Sequence, residues 1–164
     1  ARWENARGAT NKGIELIANQ KLFFLPGLLR ELSISTSATF TESDAKYPDR
    51  PDEKLPTYGF SKAMFNGAVD YAHRNFRARA SYRYRTAYLE GLDTNKYIDD
   101  WFAAREQVDL EASYRWGRKL RFNVSVEDLF GRARASEQGF IRGAYPEDVY
   151  RYGTKFTFGV DYTF

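Results

Sequence analysis

Four arginines on one short run are the residues best placed for chemistry. Arg77, Arg79, Arg83 and Arg85 occupy odd positions between Phe76 and Tyr88. At a period of two, all four project from the same side of a strand. Guanidinium groups stacked this way form a basic stripe suited to an anionic substrate or a phosphate. The plainer reading places them on a wet interior wall, paired with carboxylates of neighbouring strands such as Asp70, Asp109 and Glu111, because charge held away from bulk water needs such partners. That plainer reading is the one adopted. His73 is the single histidine and cysteine is absent. A thiol nucleophile, a disulfide and a thiolate metal site are therefore ruled out, and an imidazole metal site is poorly supplied. A Ser-His-Asp arrangement needs its histidine at a cleft, whereas His73 falls in a tight turn and reads as a turn residue. The carboxylates of Glu42–Glu53 and the Asp99-Asp100 pair have calcium-binding chemistry, but their surroundings read as solvated loop. Asn123-Val124-Ser125 fits the glycosylation pattern and is set aside because it falls inside a strand. No catalytic residue, metal or cofactor is expected, and the chain is not read as an enzyme.

The elements that must position these side chains are strands. From Thr154 to Phe164 the sequence alternates without a break. Phe156, Phe158, Val160, Tyr162 and Phe164 fall on one face; Lys155, Thr157, Gly159, Asp161 and Thr163 fall on the other. Such alternation marks a β-strand, and its length suits a tilted strand crossing a bilayer, which takes about 9–11 residues. A water-soluble fold is hurt by an exposed apolar edge strand, while a closed membrane barrel has no free edge.

Composition agrees. The chain has 164 residues, of which 43% are hydrophobic and 17% aromatic, with 12 Tyr and 13 Phe. Mean hydropathy is −0.64, and no apolar run reaches the roughly 18 residues of a transmembrane helix. Barrel strands escape that criterion because half of each faces a polar interior. The net charge of +3, from 25 basic and 22 acidic residues, is too balanced to indicate a nucleic-acid partner. Ala1-Arg2-Trp3-Glu4-Asn5 carries no apolar leader core, so a secreted form implies either a cleaved leader or a chain that continues something longer.

The same pattern recurs along the chain. Ala1 to Asn11 reads as the end of a loop and the rising part of a strand. Lys12–Asn19 places Ile14, Leu16 and Ala18 on one face, with Ile17 an imperfection on the other. Leu32, Ile34, Thr36, Ala38 and Phe40 oppose a row of Ser and Thr. Phe65, Gly67, Val69 and Tyr71 continue the pattern, then Phe76 to Tyr88 against the arginines. Val108 to Trp116 and Leu120 to Val126 follow. About seven strands of membrane-spanning length result. Their connections alternate: short around Pro26, His73 and Gly117, long at Ser43–Thr57, Glu90–Asp100 and Gly131–Gly153. Outer-membrane barrels segregate short periplasmic turns from long extracellular loops in this way. Tyr71, Phe76, Trp116 and Phe164 fall at the expected periplasmic strand ends, as an aromatic girdle would. Seven is odd, whereas single-chain bacterial barrels have even strand counts. The strands are therefore expected to pair with others beyond this segment.

Several stretches resemble the C-terminal part of the β-barrel of TonB-dependent outer-membrane receptors. Asn11-Lys12-Gly13-Ile14-Glu15-Leu16 resembles the Gly-x-Glu-Leu strand of that family, and Phe24-Leu25-Pro26-Gly27-Leu28 its Pro-Gly periplasmic turn. Val126-Glu127-Asp128-Leu129-Phe130-Gly131 resembles Val-x-Asn-Leu-Phe-Asp, with Asp128 and Gly131 as departures. Tyr152-Gly153-Thr154-Lys155-Phe156-Thr157-Phe158-Gly159-Val160 resembles the closing Gly-Arg-x-Phe-x-x-Gly-Val strand, with Thr154 in place of Arg. The resemblance implies an all-β antiparallel meander forming the last strands of a 22-stranded barrel, with residues 1–164 as its C-terminal segment. It also implies a plug domain and a TonB contact elsewhere in the receptor, and TonB-dependent uptake of an iron chelate, cobalamin or oligosaccharide in a Gram-negative outer membrane. Phe156, Phe158, Val160, Tyr162 and Phe164 would then be the signal read by the barrel assembly machinery. Arg77, Arg79, Arg83, Arg85, Asp109 and Glu111 would face the lumen, and Tyr71, Phe76, Trp116 and Phe164 would meet the lipid bilayer at its interface.

Three other readings remain in view. A complete small outer-membrane barrel serving as an anchor or adhesin needs an eighth strand from Ala1–Asn11. An outer-membrane lipase or protease needs a nucleophile and base at the rim. A soluble lipocalin-like binder would turn its aromatic rows inward and its charges outward.

Overall fold

The computed structural model describes residues 8–139 and 145–164. Twelve strands follow in order: β1 (Gly8–Lys21), β2 (Leu32–Tyr47), β3 (Arg50–Leu55), β4 (Ala63–His73), β5 (Phe76–Arg85), β6 (Tyr88–Gly91), β7 (Asp100–Phe102), β8 (Arg105–Trp116), β9 (Leu120–Glu127), β10 (Arg134–Gln138), β11 (Tyr145–Tyr150) and β12 (Lys155–Tyr162). Two short 3-10 turns, Gly27–Glu31 and Lys96–Ile98, complete the described elements.

The strands form two sheets. The larger runs β1-β2-β4-β5-β8-β9-β12, with β3 attached to β2. Every pairing in it is antiparallel. Its seven-strand path matches the seven alternating runs of the sequence, because a period-two pattern fixes both the strand and the face it offers. The smaller sheet, β11-β10-β7-β6, draws mostly on stretches the sequence offers as loop; the run expected from Phe76 to Tyr88 instead ends β5 at Arg85, and Tyr88 opens β6.

The connections of the large sheet sort by end. Arg74 and Asn75 alone join β4 to β5, with Arg74 at φ 51. Gly117 at φ 64 opens the turn from β8 to β9. There a side chain would meet the left-handed steric penalty that glycine avoids. The Pro26 connection lies at the same end but is longer than a tight turn, since it contains the first 3-10 turn. The three long connections, carrying β3, β6, β7, β10 and β11, lie at the opposite end.

Register extends the apolar alternation across the sheet. Leu32 faces Tyr71, Tyr71 faces Ala78, Ala78 faces Ala112, Ala112 faces Val124 and Val124 faces Phe158. Among the described residues nothing packs against this face. Ile14, Leu16, Phe156, Phe158 and Val160 are all exposed, Phe158 at 70%. The fully or nearly buried hydrophobics among the described residues are Ala45, Tyr47, Ala68, Ala87 and Leu89. Four of these five belong to the long-connection end. Among the described residues the buried apolar side chains therefore gather mostly under the loops, not on the sheet. The aromatic rows are not turned inward, contrary to what the lipocalin-like reading requires.

Two loop expectations need correction. Ser43–Thr57 is not simply solvated: β2 continues through Tyr47, β3 folds back on it, and the Tyr47 and Tyr58 rings pack at 4.8 Å. Gly131–Gly153 is not irregular throughout, since β10 and β11 pair within it. Residues 140–144 of that stretch, and residues 1–7, lie outside the described residues. Gly8 to Asn11 belong to β1 and so supply no separate eighth strand.

Candidate functional site

The opposite face of the large sheet is polar and carries the arginine stripe. β5 holds it between β4 and β8, so carboxylates arrive from both sides. On β4, Asp70 stands opposite Arg79, and the Arg79 guanidinium donates from one nitrogen to both Asp70 oxygens at 2.8 and 3.0 Å. On β8, Asp109 accepts from Arg83 at 2.6 Å. Asp109 also accepts from the Gln107 amide at 2.8 Å and from the Asp128 backbone N–H at 2.9 Å. Glu111 faces Arg79 across the β5–β8 ladder, and Arg77 faces Ser113. Arg77, Arg79 and Glu111 border a hollow of about 360 Å³, and Arg79, Arg83, Asp109 and Glu111 border a second of about 560 Å³.

Arg85 does not share this fate. It turns to the long-connection end, where its guanidinium lies over the Tyr88 ring at 4.6 Å and 5.9 Å from the Phe102 ring. Arg134 of β10 stacks over Phe102 at 4.4 Å. Arg105 reaches Asp128 at 3.4 Å, and Arg132 reaches Glu106 at 2.7 Å. Arg134, Phe102, Arg105 and Gln107 are residues that sequence reasoning missed. Arg105 and Gln107 begin β8 ahead of its alternating run and stand opposite Arg85 and Arg83, whereas Phe102 and Arg134 are brought near β5 only by the β6–β7–β10 pairing.

Asp128 explains one departure from the family pattern. It has φ 52, and its backbone carbonyl accepts from the Thr154 hydroxyl at 2.9 Å. Asparagine tolerates this left-handed backbone best, with aspartate close behind. The carboxylate adds what an amide lacks, a charge opposite Arg105. Thr154, standing where arginine is usual, ties β12 to this turn.

A second buried pair crosses between loops. Arg50 of β3 donates to Asp99 at 2.7 Å, with side-chain exposures of 7% and 4%. Asp99 also accepts from the Asp93 N–H at 3.2 Å. Asp99 and Glu53, acidic residues with calcium-binding chemistry, are thus committed to the Arg50 guanidinium, and no group of three or more metal-ligating side chains gathers among the described residues. Nearby, hydrogen bonds from the Asn95 backbone N–H and the Thr94 hydroxyl hold the Asp93 carboxyl below its usual pKa. Burial pushes the Glu90 carboxyl up, against the pull of Arg134 and Arg85.

The aromatic residues collect at two levels of the apolar face. At the short-turn end, Tyr71 and Phe76 lie 6.1 Å apart, Trp116 and Phe122 6.4 Å, and Tyr162 and Phe164 5.1 Å. At the other end, Phe40 meets Phe65 edge-on at 5.6 Å and Phe65 meets Tyr84 at 6.1 Å. This second band went unnoticed in the sequence, because it exists only through register. Leu32 and Phe40, on one strand, are separated by roughly 26 Å at about 3.3 Å per residue. His73 ends β4 beside the two-residue turn, its ring 6.5 Å from Tyr71. Asn123 lies within β9 and donates to Asp161 at 2.7 Å.

A family model described as "TonB dependent receptor-like, beta-barrel" matches residues 1–129. Neither the curated proteins nor the solved structures contain a match.

Proposed function

The chain belongs to the TonB-dependent receptor β-barrel family, whose members are outer-membrane transport proteins of Gram-negative bacteria. From that premise we propose that residues 1–164 form the C-terminal strands of one such receptor's barrel. Plug and earlier strands lie elsewhere in the receptor, and a scarce nutrient of the iron-chelate, cobalamin or oligosaccharide class is taken up in a TonB-dependent way with energy from the inner membrane. The observation that carries this reading is the two-faced sheet: an exposed apolar face banded by aromatics, and a polar face crossed by guanidinium–carboxylate pairs. In the receptor the first face meets lipid and the second lines the lumen.

Each site residue then has a role. Arg77, Arg79, Arg83, Arg85, Asp109 and Glu111 line the wet interior. Tyr71, Phe76, Trp116 and Phe164 sit at the periplasmic interface, and Phe40, Phe65 and Tyr84 at the outer one. Phe156 to Phe164 present the assembly signal. Among the described residues β1 and β12 each have a single neighbour in the path, as strands that pair with others of a larger barrel would.

Expression of the full-length receptor in a Gram-negative host tests the proposal. The expected product fractionates with the outer membrane, migrates faster in unheated gels than in heated ones, and loses uptake when TonB is deleted. A monodisperse water-soluble protein obtained without detergent would sink it.

A further inference from the structure

At the long-connection end, Arg83, Arg85, Arg105 and Arg134 converge on a cavity of about 390 Å³, with the side-chain amides of Asn66 and Gln107 on its wall. No carboxylate is among its lining residues. The four guanidiniums are not equally compensated. Arg83 is held by Asp109 at 2.6 Å. Arg105 is only loosely held by Asp128 at 3.4 Å, and its buried Nε has no hydrogen-bond partner. Arg85 and Arg134 make no ion pair among the described residues and rest instead on the Tyr88 and Phe102 rings.

That stacking matters chemically. A guanidinium lying flat on a ring uses its face and leaves its in-plane N–H donors free. Those donors form the planar fork that fits a carboxylate or phosphate in bidentate fashion. The rings also hold both side chains in place, which lowers the entropy lost when a ligand arrives. Cavities of this size suit small molecules.

We propose that this cavity is a binding site for a small polyanion carrying two or more carboxylate or phosphate groups. Arg85 and Arg134 supply the principal forks, Arg105 adds its charge, and Asn66 and Gln107 complete the donor set. The proposal rests on the barrel reading, since it takes this end to open outward. It narrows the transported class to molecules with clustered negative charge.

The test uses the full-length receptor purified in detergent and isothermal titration with tricarballylate, with inorganic pyrophosphate, and with tricarballylamide as the uncharged control. One of the two anions is expected to bind, its affinity falling as salt rises, while the amide does not. The better of the two identifies carboxylate or phosphate as the recognised group. The double variant Arg85→Gln/Arg134→Gln is expected to weaken binding by about tenfold for each guanidinium removed, roughly a hundredfold in all. Arg134→Lys, which keeps the charge and loses the fork, falls between. Arg30→Gln, at the opposite end, leaves binding unchanged. Faster gel migration before heating verifies that each variant is a folded barrel. A folded receptor that binds neither anion, or binds equally well in the double variant, overturns the polyanion site and leaves the barrel reading standing. A receptor that never migrates as a barrel overturns both.

Discussion

Phe158 offers the sharpest contrast between the two faces. It lies midway along β12, 70% exposed and opposite Val124 of β9. Thr157, one residue earlier, stands opposite Ser125 on the polar face. If the apolar face meets lipid, Phe158→Arg puts a guanidinium near mid-bilayer at a cost of about 2–4 kcal/mol. That corresponds to roughly a thirtyfold to several-hundredfold shift toward the unfolded state. Thr157→Arg points into the wet interior beside the Lys155–Glu127 pair, where a surface-type change stays within about 0.5 kcal/mol. Val160→Arg should behave like Phe158→Arg. Phe164→Arg, beyond the end of β12, should cost no more than about 1 kcal/mol, because the penalty fades near the interface. The assay is urea titration of the receptor refolded into vesicles, with the folded fraction read from unheated gels. Normal folding of Phe158→Arg beside failed folding of Thr157→Arg would show that the faces had been assigned backwards. Equal midpoints for the two would show that neither face meets lipid.

Other substitutions address the polar face and the loops. Asp109→Ala leaves the Gln107 amide and the Asp128 N–H without their acceptor, while the half-exposed Arg83 regains water; a stability loss of about 1–3 kcal/mol, read by urea titration, is expected, with Asp109→Asn milder. Asp99→Ala leaves the buried Arg50 guanidinium with only Glu53, 3.8 Å from its Nε, and its Nε and Nη1 already lack hydrogen-bond partners. Breaking a pair buried this deeply costs about 3–5 kcal/mol, so trypsin should cut the receptor on whole cells at Lys54 and Lys96 much faster, with assembly unimpaired; unchanged cleavage would show the pair to be dispensable. Glu90 supplies a pH prediction. Its raised carboxyl pKa means the folded state holds this proton more tightly than the unfolded chain, so its ionised form costs stability at neutral pH. As pH falls through the folded value, Glu90 neutralises and releases Arg134 and Arg85 from its field, with Asp100 and Glu147 the other charges it senses. Binding of benzene-1,3,5-trisulfonate, whose charge is constant over this range, should therefore strengthen on acidification from neutral pH. Glu90→Gln should flatten that slope, and an undiminished slope in this variant would locate the proton elsewhere.

Much of this molecule was legible in its residues taken in order. Alternation is a local property: the pleat sends neighbouring side chains to opposite faces wherever the strand ends up. Leu32 to Phe40, Phe76 to Tyr84 and Phe156 to Tyr162 therefore announce their strands, their faces and, by the length of what separates them, the two ends of the sheet. The arginine stripe was legible for the same reason, and so was the choice of Asp70, Asp109 and Glu111 as its acidic neighbours. Only tertiary pairing decided which arginine meets which carboxylate. Arg83 finds Asp109 and Arg79 finds Asp70, whereas Arg85 leaves the stripe for Tyr88, because a ladder's register is set by contacts between residues far apart in the chain. The second aromatic band, the Arg50–Asp99 pair joining residues 49 apart, and the sheet that carries Arg134 over Phe102 likewise have no local signature. The aromatic band lies on strands whose alternation is legible but whose mutual register is not, and the segments of the other two are short and without period. What shapes them is the packing they meet at the end of the large sheet, not a preference written into their own residues.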